Sequence, residues 1–463
     1  MQRGETQRGI TKWMLLVGAV ISVAGILFGY DQGVISGALL GIGKDFHVGT
    51  TATEIITSWV TLGALVGALV AGVMADKIGR RPTLLFAGSL FSIGALIEAL
   101  APGTEVLVVG RLVVGFAVGV ASVAAPLYAA EMAPSRLRGM FVSGYQLGIT
   151  FGIFLAYLVD ELMSASDWRL MLGVSAVVGV ALVILVLPLP DSPRWYLKVG
   201  RRNDARDAIA KVAGDPDPDA TIAELEADVA GETQASWGVA FSKRWRTPLI
   251  VGVGLAVFQQ ITGINAIIYY ADKIFDAAGF STVASQTAAT TWAIGAVNVL
   301  ATLIAVFFVD RLGRKPLLIA GLIGMTISLT AVGFAFQELG DISHAPSSQG
   351  PSDAGAITLV ALVVYIASFA MSMGPIVWTI INEIYPREVR GRMVSIATAV
   401  NWFSAWLVSQ FFLTLVKQLG ESETFWLFAA LCVAALAFVW RKVPETKDRT
   451  LEEIEQMWNA PKA

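Results

Sequence analysis

One cysteine, Cys432, and two histidines, His47 and His344, are all that 463 residues provide of the side chains most used to hold metals or carry redox chemistry. A single thiol excludes an intramolecular disulfide. With no metal-ligand cluster and no nucleophile paired with a base, neither a catalytic nor a metal site is expected, and the chain does not read as an enzyme. Charge is scarce too: Asp, Glu, Lys and Arg make up 15% of residues against 55% hydrophobic, and the mean hydropathy is +0.67. A soluble chain of this length would divide into about three domains. Instead, apolar runs of membrane-spanning length recur from end to end, which makes this a polytopic membrane protein in contact with a lipid bilayer. Gly43-Lys44-Asp45 fails as a phosphate loop, because Ala38 occupies the leading glycine position and Asp45 stands where Ser or Thr is needed. Neither nucleotide nor nucleic acid is an expected partner.

A window of about 19 residues places helices near 13–39, 52–75, 82–101, 105–128, 141–160 and 169–189, then 247–271, 287–310, 316–337, 356–382, 393–416 and 424–441. The expected fold class is all-α: twelve transmembrane helices in two six-helix bundles, residues 1–190 and 247–441. A helical linker, 191–246, joins them, and 442–463 form a tail. Of the 33 Lys and Arg, 28 fall in the N-terminus, the even-to-odd loops and the C-terminus. Lys44, Arg169, Lys273 and Lys417 lie on the other side, so both termini, the linker and the tail are expected in the cytoplasm. The membrane is expected to be a plasma or bacterial inner membrane. The N-terminus is polar up to Lys12 and has no convincing cleavage site, which reads as an uncleaved first helix. The longest outer loop, around Gln337 to Gly355, carries His344, and neither histidine is given a role.

The chain repeats itself. Asp76-Lys-Ile-Gly-Arg-Arg81 follows the second helix and Asp310-Arg-Leu-Gly-Arg-Lys315 follows the eighth. The pattern E-x-x-P-x-x-x-R-G occurs at Glu131 to Gly139 and again at Glu383 to Gly391, and P-D-S-P-R-W after helix six is echoed by P-E-T after helix twelve. Such a repeat implies two related bundles face to face, with a site at their interface near the midplane. Gly25, Gly29, Gly33 and Gly37 form a small-residue ladder suited to close helix packing.

Within the seventh helix, Phe258 to Tyr270 reads F-Q-Q-I-T-G-I-N-A-I-I-Y-Y. Amides in hydrocarbon without partners cost several kcal/mol each, so Gln259, Gln260 and Asn265 must face protein, water or a ligand. In an unbroken helix Asn265 falls about 140° from Gln260. A loosening at Gly263 is therefore expected to turn Asn265 toward the same cavity.

These motifs, with R-x-x-x-G-x-x-x-G at Arg111, Gly115 and Gly119, resemble those of the sugar porter family of the major facilitator superfamily, and they run in family order from helix one to the tail. Two departures, Asp191 for the usual Glu and Asp448 after P-E-T-K, lie outside the membrane. The resemblance implies the major facilitator fold and a neutral monosaccharide as substrate. By position, Gln146, Gln259, Gln260, Asn265, Asn298 and Asn401 resemble the family's sugar contacts, and amides suit sugar hydroxyls because they both donate and accept. Trp378 and Trp402 offer indole faces and N–H donors for the mixed surface of a sugar. Helix-to-helix hydrogen bonding is the alternative for any one amide.

Asp31 and Arg111 are ionisable residues within spanning helices, and such residues are functional candidates by default. Burial favours the neutral acid while a nearby guanidinium favours the carboxylate, so a change in their separation could load or release a proton; a purely structural ion pair is the alternative. In the resemblance Asp31, in F-G-Y-D, aligns with the acid of bacterial proton-coupled symporters, where facilitative animal members have Asn. Those animal members also carry an acid where this chain has Ala370. Tyr269 and Tyr270 resemble the family's extracellular gate, with an interfacial aromatic belt as the alternative. Asp76, Arg80, Glu131, Arg138, Asp310, Arg314, Glu383 and Arg390 are expected to meet at the cytoplasmic face as a gate of individually weak pairs. The expected function is sugar:proton symport by alternating access, with the proton as coupling ion and no other cofactor. A facilitative uniporter and, less well supported by the short tail, a sugar sensor are the alternatives.

Overall fold

The structure is a computed structural model and describes residues 11–133, 138–213, 217–230, 237–342, 353–386, 388–447, 449, 453–454 and 458. The loop with His344, Pro134, part of the D-P-D-P-D turns and Asp448 fall outside them. The twelve spanning helices are α1 (Lys12–Phe46), α2 (Thr50–Ile78), α3 (Arg80–Ala99), α4 (Thr104–Met132), α5 (Arg138–Leu162) and α6 (Trp168–Val186) in the first bundle. The second has α7 (Arg246–Ile261 and Ile264–Tyr269), α8 (Val283–Ala289, a π-helical turn Thr290–Ala296, and Val297–Leu312) and α9 (Arg314–Ile342). It is completed by α10 (Asp353–Met371 and Met373–Ile384), α11 (Arg390–Leu419) and α12 (Glu421–Lys442). Several run a turn or more past the expected ends. Hydropathy marks the apolar core of a span, whereas the hydrogen-bonded helix continues into polar ends such as Lys44 to Phe46.

The glycine ladder of α1 packs on α5: a Cβ at Gly25 or Gly29 would run into the Tyr145 or Ile149 carbonyl. That leaves no room for a larger residue and brings the two backbones together. The repeat in sequence becomes a repeat in structure at the start of the third helix of each bundle. Gly79 (φ +101°) and Gly313 (φ +89°) turn the chain, and the next helix begins with unsatisfied N–H groups. Asp191 accepts from the Arg80, Arg81 and Ser192 amides, and Glu445 accepts from the amides of Arg314, Lys315, Thr446 and Lys447. The motifs P-D-S and P-E-T therefore do the same job, each closing its bundle from the sixth helix back to the third.

Their charges fare differently. Burial dominates at Asp191 and holds its acid above the usual carboxylate range despite the amides, whereas at the more exposed Glu445 burial is outweighed by four backbone N–H donors and the acid lies below its ordinary value. A depressed acid contributes stability above its unfolded value of about 4.3 and loses it as pH falls through the folded value. Glu445→Gln is thus expected to cost about 1 kcal/mol at neutral pH, on the scale of a helix cap. In thermal unfolding across pH the gap to wild type closes below about pH 4; a gap that does not depend on pH would rule this out.

The linker forms helices Pro193–Lys198, Arg202–Ala213, Pro218–Ala230 and Trp237–Ala240. Arg202–Ala213 lies under the first bundle: Thr11 donates to the Val212 carbonyl at 2.6 Å, and the Lys211 ammonium sits 4.0 Å from the Trp13 ring centroid. The bundles face one another through α2 against α11, α5 against α8, and α1 against Ile264–Tyr269 of α7 and the short helix Ala271–Ala277 that follows it.

Candidate functional site

Helix α7 stops at Ile261 and restarts at Ile264, with Gly263 at φ +100°, ψ 6°. The left-handed conformation is one that glycine adopts freely and side-chain-bearing residues resist. The Phe428 ring, 3.0 Å from where a Cβ would stand, closes the space as well. Backbone loosened at membrane depth must find other partners, and Tyr365 donates to the Thr262 carbonyl at 3.0 Å. The break carries Asn265 round to Gln260: the Asn265 amide donates to Gln260 Oε1 at 2.8 Å.

The remaining amides close a network around this point. Gln260 Nε2 donates to Asn401 Oδ1 (3.1 Å) and Gln259 Oε1 (3.3 Å), and Asn401 Nδ2 donates to Gln259 Oε1 (2.7 Å) and to the Ala256 carbonyl (3.1 Å). Gln259 Nε2 donates to the Met373 and Gly374 carbonyls beside the interruption in α10, so the two broken helices are tied to each other. Gln146 comes from the opposite bundle and approaches Gly374, its Nε2 3.7 Å from a Cβ built there. Trp378 is half-buried. Trp402 is buried against Phe28 of α1, ring centroids 5.2 Å apart, and so also bridges the bundles. Asn298 is buried just past the π-helical turn but is not one of the hydrogen-bonded members.

Sequence reasoning passed over Gln32. From α1 its Nε2 donates to Asn265 Oδ1 (3.2 Å) and to the Tyr269 hydroxyl (3.4 Å), which makes it the first bundle's direct hydrogen-bonding link to the cluster. The available signal is an amide within a spanning helix, beside the ionisable Asp31.

Asp31, one residue away, accepts from Arg111 Nη1 at 2.7 Å, and Arg111 Nε donates to the Ile56 carbonyl at 3.0 Å. Both are buried, as is Glu98, whose Oε1 lies 3.7 Å from the same Nη1. The amide cluster and the ion pair are thus contiguous through two successive residues of α1, Asp31 and Gln32.

On the side away from the termini the bundles touch. Glu54 of α2 accepts from the Thr414 backbone N–H (2.6 Å) and hydroxyl (2.8 Å) of α11, and Ser58 donates to Gln410 at 2.7 Å. Tyr157 donates to the Ile268 carbonyl, and the Asp272 amide donates to Ser36. Tyr269 and Tyr270 are both buried; Tyr270 donates to the Ser409 carbonyl and stacks on Phe412. On the termini side each described pair of the motif residues stays within one bundle. Arg80 pairs with Glu131 (2.8 Å) and Asp76 (3.2 Å), Glu131 accepts from Ser192, and Arg314 pairs with Glu383 (3.2 Å). Arg390 Nε donates to the Tyr385 carbonyl. None of these described pairs joins the clusters of the two halves, whereas the sequence leads one to expect the clusters to meet. The Arg138 and Asp310 side chains lie outside the described residues.

The family model described as "Sugar (and other) transporter" matches residues 17–458. The galactose-proton symporter of Escherichia coli K12 is 39% identical over 461 residues, covering 98% of this chain and 96% of that protein. A D-xylose transporter of Levilactobacillus brevis is 38% identical over 440 residues, covering 94% and 93%. Among solved structures, a partially occluded inward-open form of the xylose transporter XylE from E. coli superposes with a TM-score of 0.81 at 28% identity, covering 95% of this chain and 100% of that one. With twelve spanning helices in two bundles and a family match along almost the whole chain, the protein belongs to the sugar transporter family of the major facilitator superfamily and is a membrane transporter, not an enzyme.

Proposed function

We propose that the protein couples uptake of a neutral monosaccharide, a hexose or pentose, to a proton by alternating access. One observation carries the reading: an amide cluster contributed by α7, α11 and α1 stands next to a buried Asp31–Arg111 pair, with Gln32 and Asp31 adjacent in the chain. Each cluster amide has donor and acceptor capacity that sugar hydroxyls can take over from the network, and the cluster offers no cation to favour a sugar acid or phosphate. Gln146, Asn298, Trp378 and Trp402 complete the proposed site. Tyr269 and Tyr270 serve as the outer gate, a role supported by their burial between the bundles.

The contacts between bundles gather on the side away from the termini, and the described motif pairs on the termini side stay within their own bundle. With the basic loops on the cytoplasmic side, this arrangement corresponds to a state closed outward. Asp76, Arg80, Glu131, Arg138, Asp310, Arg314, Glu383 and Arg390 would then re-pair across the halves when the inner face closes.

In liposomes with an imposed proton gradient, the purified protein is expected to accumulate a neutral hexose or pentose above equilibrium. Equilibration without accumulation would make it a uniporter instead. Competition calorimetry over a panel of neutral sugars ranks the substrates.

A further inference from the structure

Beside the Asp31–Arg111 pair stands a third charged group that this pair does not account for. Glu98 comes from the last turn of α3, where an acid would ordinarily reach water, but its side chain is only 2% exposed. It is held inward by the close approach of α4: a Cβ on Gly110 would stand 2.6 Å from Glu98 Cγ, so the side chain fills the notch that this glycine leaves. Its Oε1 is buried without a hydrogen-bond partner, 3.7 Å from Arg111 Nη1, and Arg111 Nη2 is likewise buried and unpartnered among the described residues. Two carboxylates thus face one guanidinium in a buried setting, and only one of them is at hydrogen-bonding distance. The charged side chains that act on Glu98 are Arg111 from α4 and Asp31 from α1; from α2 the Ile56 carbonyl fixes Arg111 Nε, and the Tyr269 hydroxyl lies in the field of Arg111.

We propose that Glu98, Asp31 and Arg111 form one proton site, in which two acids share a guanidinium and a single proton. Without that proton the triad carries a net charge of −1 in a low-dielectric setting, which is costly. One proton neutralises it. When the proton is on Asp31, the Asp31–Arg111 hydrogen bond breaks and Arg111 Nη1 closes the short remaining gap to Glu98 Oε1. Arg111 is therefore never left unpaired, and loading Asp31 does not strand a buried cation. Glu98 acts here as a positioning residue through Arg111.

The inference rests on the reading of Asp31 as the coupling acid, and the test separates the two. Glu98→Gln removes the excess negative charge, so Asp31 must take its proton against an otherwise neutral pair. The pH profile of sugar accumulation in proteoliposomes is expected to move to acid by about one unit or more, on the scale by which a neighbouring charge shifts an acid. Should the Gln variant not fold, Glu98→Asp keeps the charge but widens the gap to Arg111, and the profile is expected to move the same way by less. A wild-type profile in either variant overturns the role of Glu98, provided that Asp31→Asn does abolish accumulation. If Asp31→Asn accumulates sugar normally, the coupling reading itself fails, whatever Glu98 does. A purely structural Glu98 would lower the amount of active protein without moving the profile.

Discussion

Replacing Asp31 by Asn is expected to reduce the steady-state sugar gradient in proteoliposomes to unity while leaving a folded protein. The carboxylate is buried in α1 and bonded to Arg111 at 2.7 Å, and asparagine keeps its shape but can neither bind nor release the proton. The loss can be sized: a membrane potential contributes about 2.3 kcal/mol per charge per 100 mV. At about 1.4 kcal/mol per tenfold, this corresponds to a roughly fifty-fold gradient at 100 mV, all of which is expected to vanish. Exchange of labelled for unlabelled sugar at equal concentrations moves no net charge, so it shows whether the variant still binds and turns over. A variant that still concentrates sugar against its gradient would show that Asp31 is not the coupling site.

The second large effect is expected at Gln260. It accepts from Asn265 and donates to both Gln259 and Asn401, so the turn imposed by Gly263 and the wall supplied by α11 meet on this one amide. Gln260→Ala removes a donor and an acceptor offered to the sugar and strands the Asn265 amide. With two hydrogen bonds lost at about 0.5–1.5 kcal/mol each and a buried group left unpaired, sugar affinity is expected to fall by about 100-fold. Binding calorimetry against the best substrate measures it. A change of less than about threefold would place the sugar elsewhere, because a residue used only to pack helices affects stability more than affinity.

Much of this could be read from the residues because physics left few alternatives. Three amides in hydrocarbon needed partners and an unbroken helix could not aim all three at one point, so a loosening at Gly263 was expected, and the structure breaks α7 there. The P-D-S and P-E-T echo likewise became the two helix caps at Asp191 and Glu445. What stayed hidden depends on depth. Glu98 lies at a helix end, where nothing in the sequence marks burial, and only the notch at Gly110 shows that it is turned inward. Gln32 was a single amide with no visible partner until α7 was folded against α1. The motif ion pairs were expected to meet across the halves, but sequence does not say which conformation a two-state protein occupies, and in this one the described pairs stay inside each bundle.

The contact between Glu54 and Thr414 has a consequence for observing the transport cycle. The Thr414 N–H lies within α11, yet at 2.6 Å it is directed to a carboxylate from the other bundle. A proton in so short a bond to an anion is strongly deshielded, and on separation of α2 from α11 the amide returns to an ordinary helical setting. A single nitrogen-15 label at Thr414 would therefore report, as two resonances or one exchange-broadened line, how often the bundles part on this side and whether sugar and acidity change that frequency.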